Sequence, residues 1–163
     1  MNDIPGKELR FVADAMLKKL AKYLRALGYD TLFDKSLSDQ ELREKTQQES
    51  RVLLTRDQEL YEATPDQLSY YVEPLYPTAQ LQAVADEFAL LFNESRFMCR
   101  CLECNTLLME LEKEDLPHEI PPRVDMRHEV FYYCSSCDQV FWRGDHVARL
   151  RKKLSQILLQ SPP

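Results

Sequence analysis

The chain has 163 residues, is 44% hydrophobic and 29% charged, and carries a formal charge of −6, which suits an ordinary globule with one core and an appendage. No apolar run approaches a membrane span, and "MNDIPGKELRF" lacks the layout of a signal peptide, so a cytoplasmic protein without a membrane partner is expected. The acidity excludes indiscriminate nucleic-acid binding through bulk charge, but it leaves room for a local basic track beside an acidic pocket.

In chain order, Leu9 to Ala13 reads as a strand ending at Asp14. Leu17, Leu20, Ala21, Leu24 and Leu27 then give one apolar helix face, which Gly28 stops. Thr31 to Phe33 is a second short strand, ending at Asp34. "SLSDQELREKTQQES" is a helix whose Ser38 and Glu41 fit a capping box. Val52 to Leu54 makes a third strand, which stops at Thr55-Arg56-Asp57 and turns into a short helix through about Ala63. "LSYYVEP" supplies a fourth strand, and "TAQLQAVADEFALLF" a long helix capped by Thr78. Strand alternates with helix throughout, which predicts a three-layer α/β domain with a parallel sheet over residues 1–97. Residues 98–146 have short strands, prolines and cysteines, and too few aliphatics for a core of their own. Residues 147–163 form a terminal helix and tail, with Val147, Leu150, Leu154 and Leu158 on its apolar side.

A parallel sheet collects Asp14, Asp34 and Asp57 at its carboxyl edge, where open α/β sheets bind ligands. Asp39 and Glu41, at the start of the second helix, point to the same edge. Crowded carboxylates repel one another unless a divalent cation neutralises them, and hard oxygen donors without histidine favour Mg2+ or Mn2+. Such a cluster suits metal-assisted phosphodiester hydrolysis. Each residue also has a plainer role: Asp39 and Glu41 as cap and helix-dipole partners, which fits Glu41 best, Asp34 as a turn residue, and Asp57 as a first-turn partner. Lys18, Lys22 and Arg25 share a helical stripe just after Asp14, where a phosphate backbone could run, although exposed basic stripes also serve solvation alone.

All five cysteines follow residue 98. Cys101-x-x-Cys104 and Cys134-x-x-Cys137 form two knuckles that can aim four thiolates at one structural Zn2+, a closed site with no open position for catalysis. Asn105 and Asp138 follow the knuckles, where a left-handed residue is often needed. Two redox pairs would need a helix after each motif, and none is evident. Cys99 is surplus. His118, His128 and His146 could ligate zinc, but four thiolates complete the set.

These residues resemble the Mut-seven C-terminal RNase domain family, a PIN-like nuclease fold with a zinc ribbon, from about Leu9 to Leu150. "FVADAMLKKLAKYLRALGYD" and "RVLLTRD" carry the first two blocks. "RCLECNTLL" and "EVFYYCSSCDQVFWRGDH" carry the ribbon, which closes on Trp142, Gly144 and His146. The resemblance implies a ribonuclease acting on RNA, with Asp14 and Asp57 as Mg2+ or Mn2+ ligands, Asp39 as the third, and Asp34 or Glu41 as an outer member. Arg56 could meet phosphate or face solvent, and Thr55 would hold the turn. Lys18 stands where family members often have Gly, and Tyr23 where they often have Trp. The alternatives are a non-catalytic RNA- or protein-binding adaptor of PIN-like shape, or a zinc-dependent redox or transcription-associated module. Protein partners are left open.

Overall fold

A computed structural model describes residues 8–159. The first seven residues, where the leader reading falls, and the tail after Leu159 lie outside the described residues. Strands β1 (Arg10–Ala13), β2 (Asp30–Phe33), β3 (Val52–Thr55) and β4 (Ser69–Tyr71) form one sheet in the order β2-β1-β3-β4, all parallel. The helices are α1 (Lys18–Ala26), α2 (Asp39–Glu49), α3 (Gln58–Glu62) and α4 (Pro77–Phe88).

Successive strand side chains point to opposite faces, and β1 is apolar on both. Phe11 and Ala13 join Leu20, Leu24, Leu81 and Val84 in a large core under α1 and α4. Val12 joins Leu53, Leu42 and Leu60 in a smaller one under α2 and α3. Burying both faces is what makes the central strands nearly continuous apolar runs.

Local chemistry sets the helix ends. Ser38 and Glu41 form the expected capping box at the start of α2. Gly28 stops α1 with φ of 89°, and a Cβ there would lie 2.7 Å from both the Cβ and carbonyl oxygen of Arg96. The start of α4 differs from expectation. Pro77 is the first helical residue and Tyr76 the N-cap, without a side-chain bond; proline fits because its fixed φ suits the first turn and its missing N–H has no helical partner to lose. This helix also stops earlier than "ALLF" suggests, because Ala89 turns left-handed with φ of 50°.

The second sheet is antiparallel, in the order β5 (Met109–Glu112), β6 (Val130–Cys134) and β7 (Gln139–Phe141). A short helix, α5 (Pro122–Asp125), lies in the β5–β6 connection. The final helix α6 (Asp145–Leu159) is no appended tail. Its Val147, Leu154 and Leu158 are buried in the large core of the first domain.

The cysteine-bearing segment is fixed to the outer edge of β2. Asn105 accepts from the Thr31 N–H at 3.0 Å and donates to Asp30 at 2.7 Å. An edge strand otherwise presents unpaired backbone groups to other chains, and here a side-chain amide pairs with one of them. Asp30 in turn pairs with Arg51 at 2.7 Å, and Arg51 also donates to the Phe11 carbonyl and to Glu49.

Candidate active site and metal centre

The connectivity places a crevice between β1 and β3. From β1 the chain passes through α1 on one face to β2. From β2 it returns through α2 on the opposite face to β3, on the other side of β1. Open sheets bind ligands at this kind of switch point, beyond the carboxyl ends of the strands. Asp14 follows β1 there, and Thr55-Arg56-Asp57 ends β3.

Three donors hold the Asp14 carboxylate. One oxygen accepts from the Met16 N–H at 2.9 Å, and the other from the Thr55 hydroxyl at 2.5 Å and the Arg56 N–H at 3.0 Å. Only 6% of the residue is exposed. Burying a carboxylate costs heavily without such compensation, so these bonds make its interior position tenable. The fully buried Thr55 hydroxyl also accepts from the Asp57 N–H at 2.9 Å. Thr55 thereby ties both acidic residues to the end of one strand. Asp57 caps α3 by accepting from the Leu60 N–H at 3.0 Å, leaving its second oxygen outside that bond.

The other carboxylates are spread along the edge. Asp34 is exposed and accepts from the backbone and hydroxyl of Ser36, which hold its pKa below the usual carboxylate range. Glu41 bonds the Ser38 backbone and hydroxyl in the capping box, and these lower its pKa too. Both therefore occupy the plainer roles read from the sequence. Asp39 is exposed in the first turn of α2. Among the described residues, no group of three carboxylates has oxygens all within 4.8 Å of one another.

The basic residues divide. Lys18 is exposed, and with Lys22, Asp34 and Lys35 it borders a depression of about 250 Å3 beside the carboxylate edge. Lys22 pairs with Glu103 of the first knuckle at 2.5 Å. Arg25 is only 3% exposed and donates to the Thr31, Leu102 and Glu103 carbonyls at 2.9, 2.9 and 3.0 Å. Burial lowers its pKa, opposed by Cys104 and Cys101, and an arginine stays charged regardless. Its location departs from an exposed stripe, because three knuckle and strand carbonyls require a donor in the interior. Arg56 likewise directs one guanidinium nitrogen to the carbonyls of Val72, Glu73 and Pro74.

The four cysteines do converge. The sulfurs of Cys101, Cys104, Cys134 and Cys137 all lie within 4.8 Å of one another, with Cys101–Cys137 at 3.9 Å and Cys104–Cys134 at 3.4 Å. Tetrahedral zinc with Zn–S bonds near 2.3 Å requires sulfurs about 3.8 Å apart. The residues therefore fit zinc, and four thiolates fill all its positions. Asn105 and Asp138 adopt the expected left-handed conformation, with φ of 72° and 53°. Burial pushes the Cys104 thiol up, but bonding to Thr106, Cys137 and Cys134 outweighs it and brings the value down to about 6. The Cys137 thiol is pushed up to about 12 by Cys104 and burial. Cys99 lies outside the set, and His118 bonds Asp138 at 2.8 Å.

The docking role of Asn105 was not legible in the sequence. Its place after Cys104 signals the turn, but its partner lies 74 residues away.

The structure is thus a mixed α/β protein with a parallel four-stranded sheet, acidic residues at its switch point, and a small antiparallel sheet beside a four-cysteine group that could hold zinc. The chain matches the Mut7-C RNase domain over residues 9–154 and belongs to that family. No curated protein and no solved structure gives a match to it.

Proposed function

We propose that the protein is a cytoplasmic ribonuclease with a three-layer PIN-like domain, dependent on Mg2+ or Mn2+ and stabilised by a zinc ribbon. Asp14 and Asp57 would hold the catalytic cation, Asp39 would complete the set, and Asp34 or Glu41 would be outer members. The observation that carries this reading is the Asp14–Thr55–Asp57 arrangement at the switch point, in a chain belonging to an RNase domain family. The donors fit a hard cation in kind. They are carboxylate oxygens, Asp14 retains acceptor capacity, and Asp57 has an oxygen outside its cap bond. Such a cation supplies polarisation of the scissile phosphate and activation of water.

This chain's residues prepare that chemistry. Thr55 and the Met16 and Arg56 amides fix the Asp14 carboxylate before any ligand arrives. Lys18 and the mouth around it attract the phosphate backbone, while Arg25 and Arg56 hold the backbone that frames the site. Zinc would only hold the ribbon, since its four ligands leave no open position.

The separation of the remaining carboxylates favours a second reading, an RNA-binding adaptor with a PIN-like frame. Incubating the protein with labelled single-stranded RNA in Mn2+, in Mg2+ or without either separates the two. Divalent-dependent cleavage supports the nuclease; binding without cleavage under every condition supports the adaptor.

A further inference from the structure

A second cationic surface lies on the zinc-ribbon side of the molecule. Arg123, Arg127, Arg143 and Arg149 line one cleft of about 440 Å3 with Trp142, and Asp145 is its sole carboxylate. Within this cleft four guanidiniums face one carboxylate, while Arg127 and Arg143 also border a neighbouring cleft that carries Glu112, Glu114, Asp125 and Glu129.

Their bonding sets them apart from other arginines. Arg51 and Arg151 are satisfied by carboxylates, and Arg25 and Arg56 by carbonyls. Arg143 donates to the Phe97 carbonyl at 3.1 Å and packs over Tyr132. Arg123, Arg127 and Arg149 are exposed, and among the described residues they make no ion pair or hydrogen bond through their side chains. Like charges held around one cleft repel each other, and an anion relieves that repulsion. Trp142, the chain's only tryptophan, is half-buried at the same cleft and offers an indole for stacking. Guanidiniums beside an aromatic face are the usual elements of single-stranded nucleic-acid binding.

The cleft connects to the candidate active site. Lys153 lies one turn beyond Arg149 on the same face of α6, and it donates to the Tyr23 hydroxyl at 2.8 Å. Lys19 and Lys153 both lie over the Tyr23 ring, at 5.4 and 5.1 Å. Lys18 follows at the start of α1, four residues after Asp14. A cationic line thus runs along α6 and α1 to the carboxylate edge.

We infer that the cleft of Arg123, Arg127, Arg149 and Trp142 is a second RNA-binding site. It grips the phosphate backbone of single-stranded RNA and passes it along Lys153, Lys19 and Lys18 to the carboxylate edge. The inference rests on RNA being the substrate. It adds a holding site that sets how RNA is presented, apart from the groups that would cleave it.

The test uses the zinc-loaded full chain and a single-stranded oligouridylate, without Mg2+ or Mn2+. Binding is followed by quenching of Trp142 emission and by anisotropy of a labelled copy. The comparison protein carries R123Q, R127Q and R149Q, with zinc content and circular dichroism confirming its fold, and a matching triple-lysine variant keeps the charge. The inference predicts Trp142 quenching in the wild type and at least tenfold weaker binding in the glutamine variant. Losing three phosphate contacts should also flatten the log–log salt slope by about 2, given roughly 0.7 per contact on a single strand. The lysine variant should retain most of that slope. Equal affinity and slope in the wild type and glutamine variant overturn it, as does wild-type binding without Trp142 quenching. Failure to bind RNA at all overturns it too. A separate Mn2+ cleavage assay keeps the readings apart: arginine-dependent binding without cleavage supports the cleft and counts against the nuclease.

Discussion

Replacing Arg25 by Met separates a structural arginine from an RNA-contacting one. The methionine keeps most of the stem and removes three hydrogen bonds, to the carbonyls of Thr31, Leu102 and Glu103. At about 1.5–2 kcal/mol for each bond from a charged donor, the gross loss is about 5 kcal/mol. Relief of the guanidinium's desolvation cost returns a few kcal/mol, leaving a net destabilisation of about 2 kcal/mol. The loss should be uneven, because two of the three carbonyls belong to the first cysteine knuckle. Chemical denaturation is therefore followed by two probes: Trp142 fluorescence, which reports the ribbon, and far-ultraviolet circular dichroism, dominated by the helices of the sheet domain. The expected result is an earlier fluorescence transition that separates from the dichroism transition. A variant as stable as wild type, with coincident transitions but weaker RNA binding, would refute the docking role and restore Arg25 to an exposed phosphate-binding stripe.

Three further outcomes are expected. Thr55→Val keeps the shape but removes the hydroxyl that donates to Asp14 and accepts from Asp57; it should lower stability by about 1–3 kcal/mol in urea titrations and reduce cleavage, with Thr55→Ser restoring both. Purified protein should contain one zinc per chain by elemental analysis, and chelation should red-shift Trp142 emission as the ribbon opens, whereas a Cys99→Ser variant should keep its zinc. For Asp30, burial raises the pKa but Arg51 and Asn105 outweigh it, leaving the value lowered. Its contribution is present above the unfolded value near 3.9 and is lost as pH falls through the lowered folded value. Asp30→Asn should therefore be less stable than wild type at neutral pH and converge on it in acid, read from melting temperatures across that range.

Much of the fold was legible because its signals are local. Two-sided apolar runs gave the β1 and β3 strands, and Ser38 with Glu41 gave the start of α2. Gly28 gave the end of α1, and the Cys-x-x-Cys pairs gave the knuckles and their left-handed residues. What was hidden depends on distant partners. The basic stripe of α1 looks uniform in sequence, yet Lys18 faces solvent, Lys22 pairs with Glu103, and Arg25 is buried beneath the knuckle. The terminal helix showed an apolar side but not which core would take it. At the site, Asp14 was legible as the carboxylate that ends the first strand, but the three donors that hold it were not. Asp34 and Glu41 were legible both as turn and cap groups and as candidate outer ligands, and their bonds to Ser36 and Ser38 are the turn and cap contacts.

Whether the carboxylate edge is catalytic is decided by the rate of RNA cleavage by wild type, Asp14→Asn and Asp57→Asn, in saturating Mn2+, with equal zinc content and matched folding. Cleavage by wild type should stop when Mn2+ is removed, and should fall by about a hundredfold or more in each variant. Undiminished cleavage by both variants would contradict the placement of the site, and a wild type that binds RNA but never cleaves it would contradict the nuclease itself.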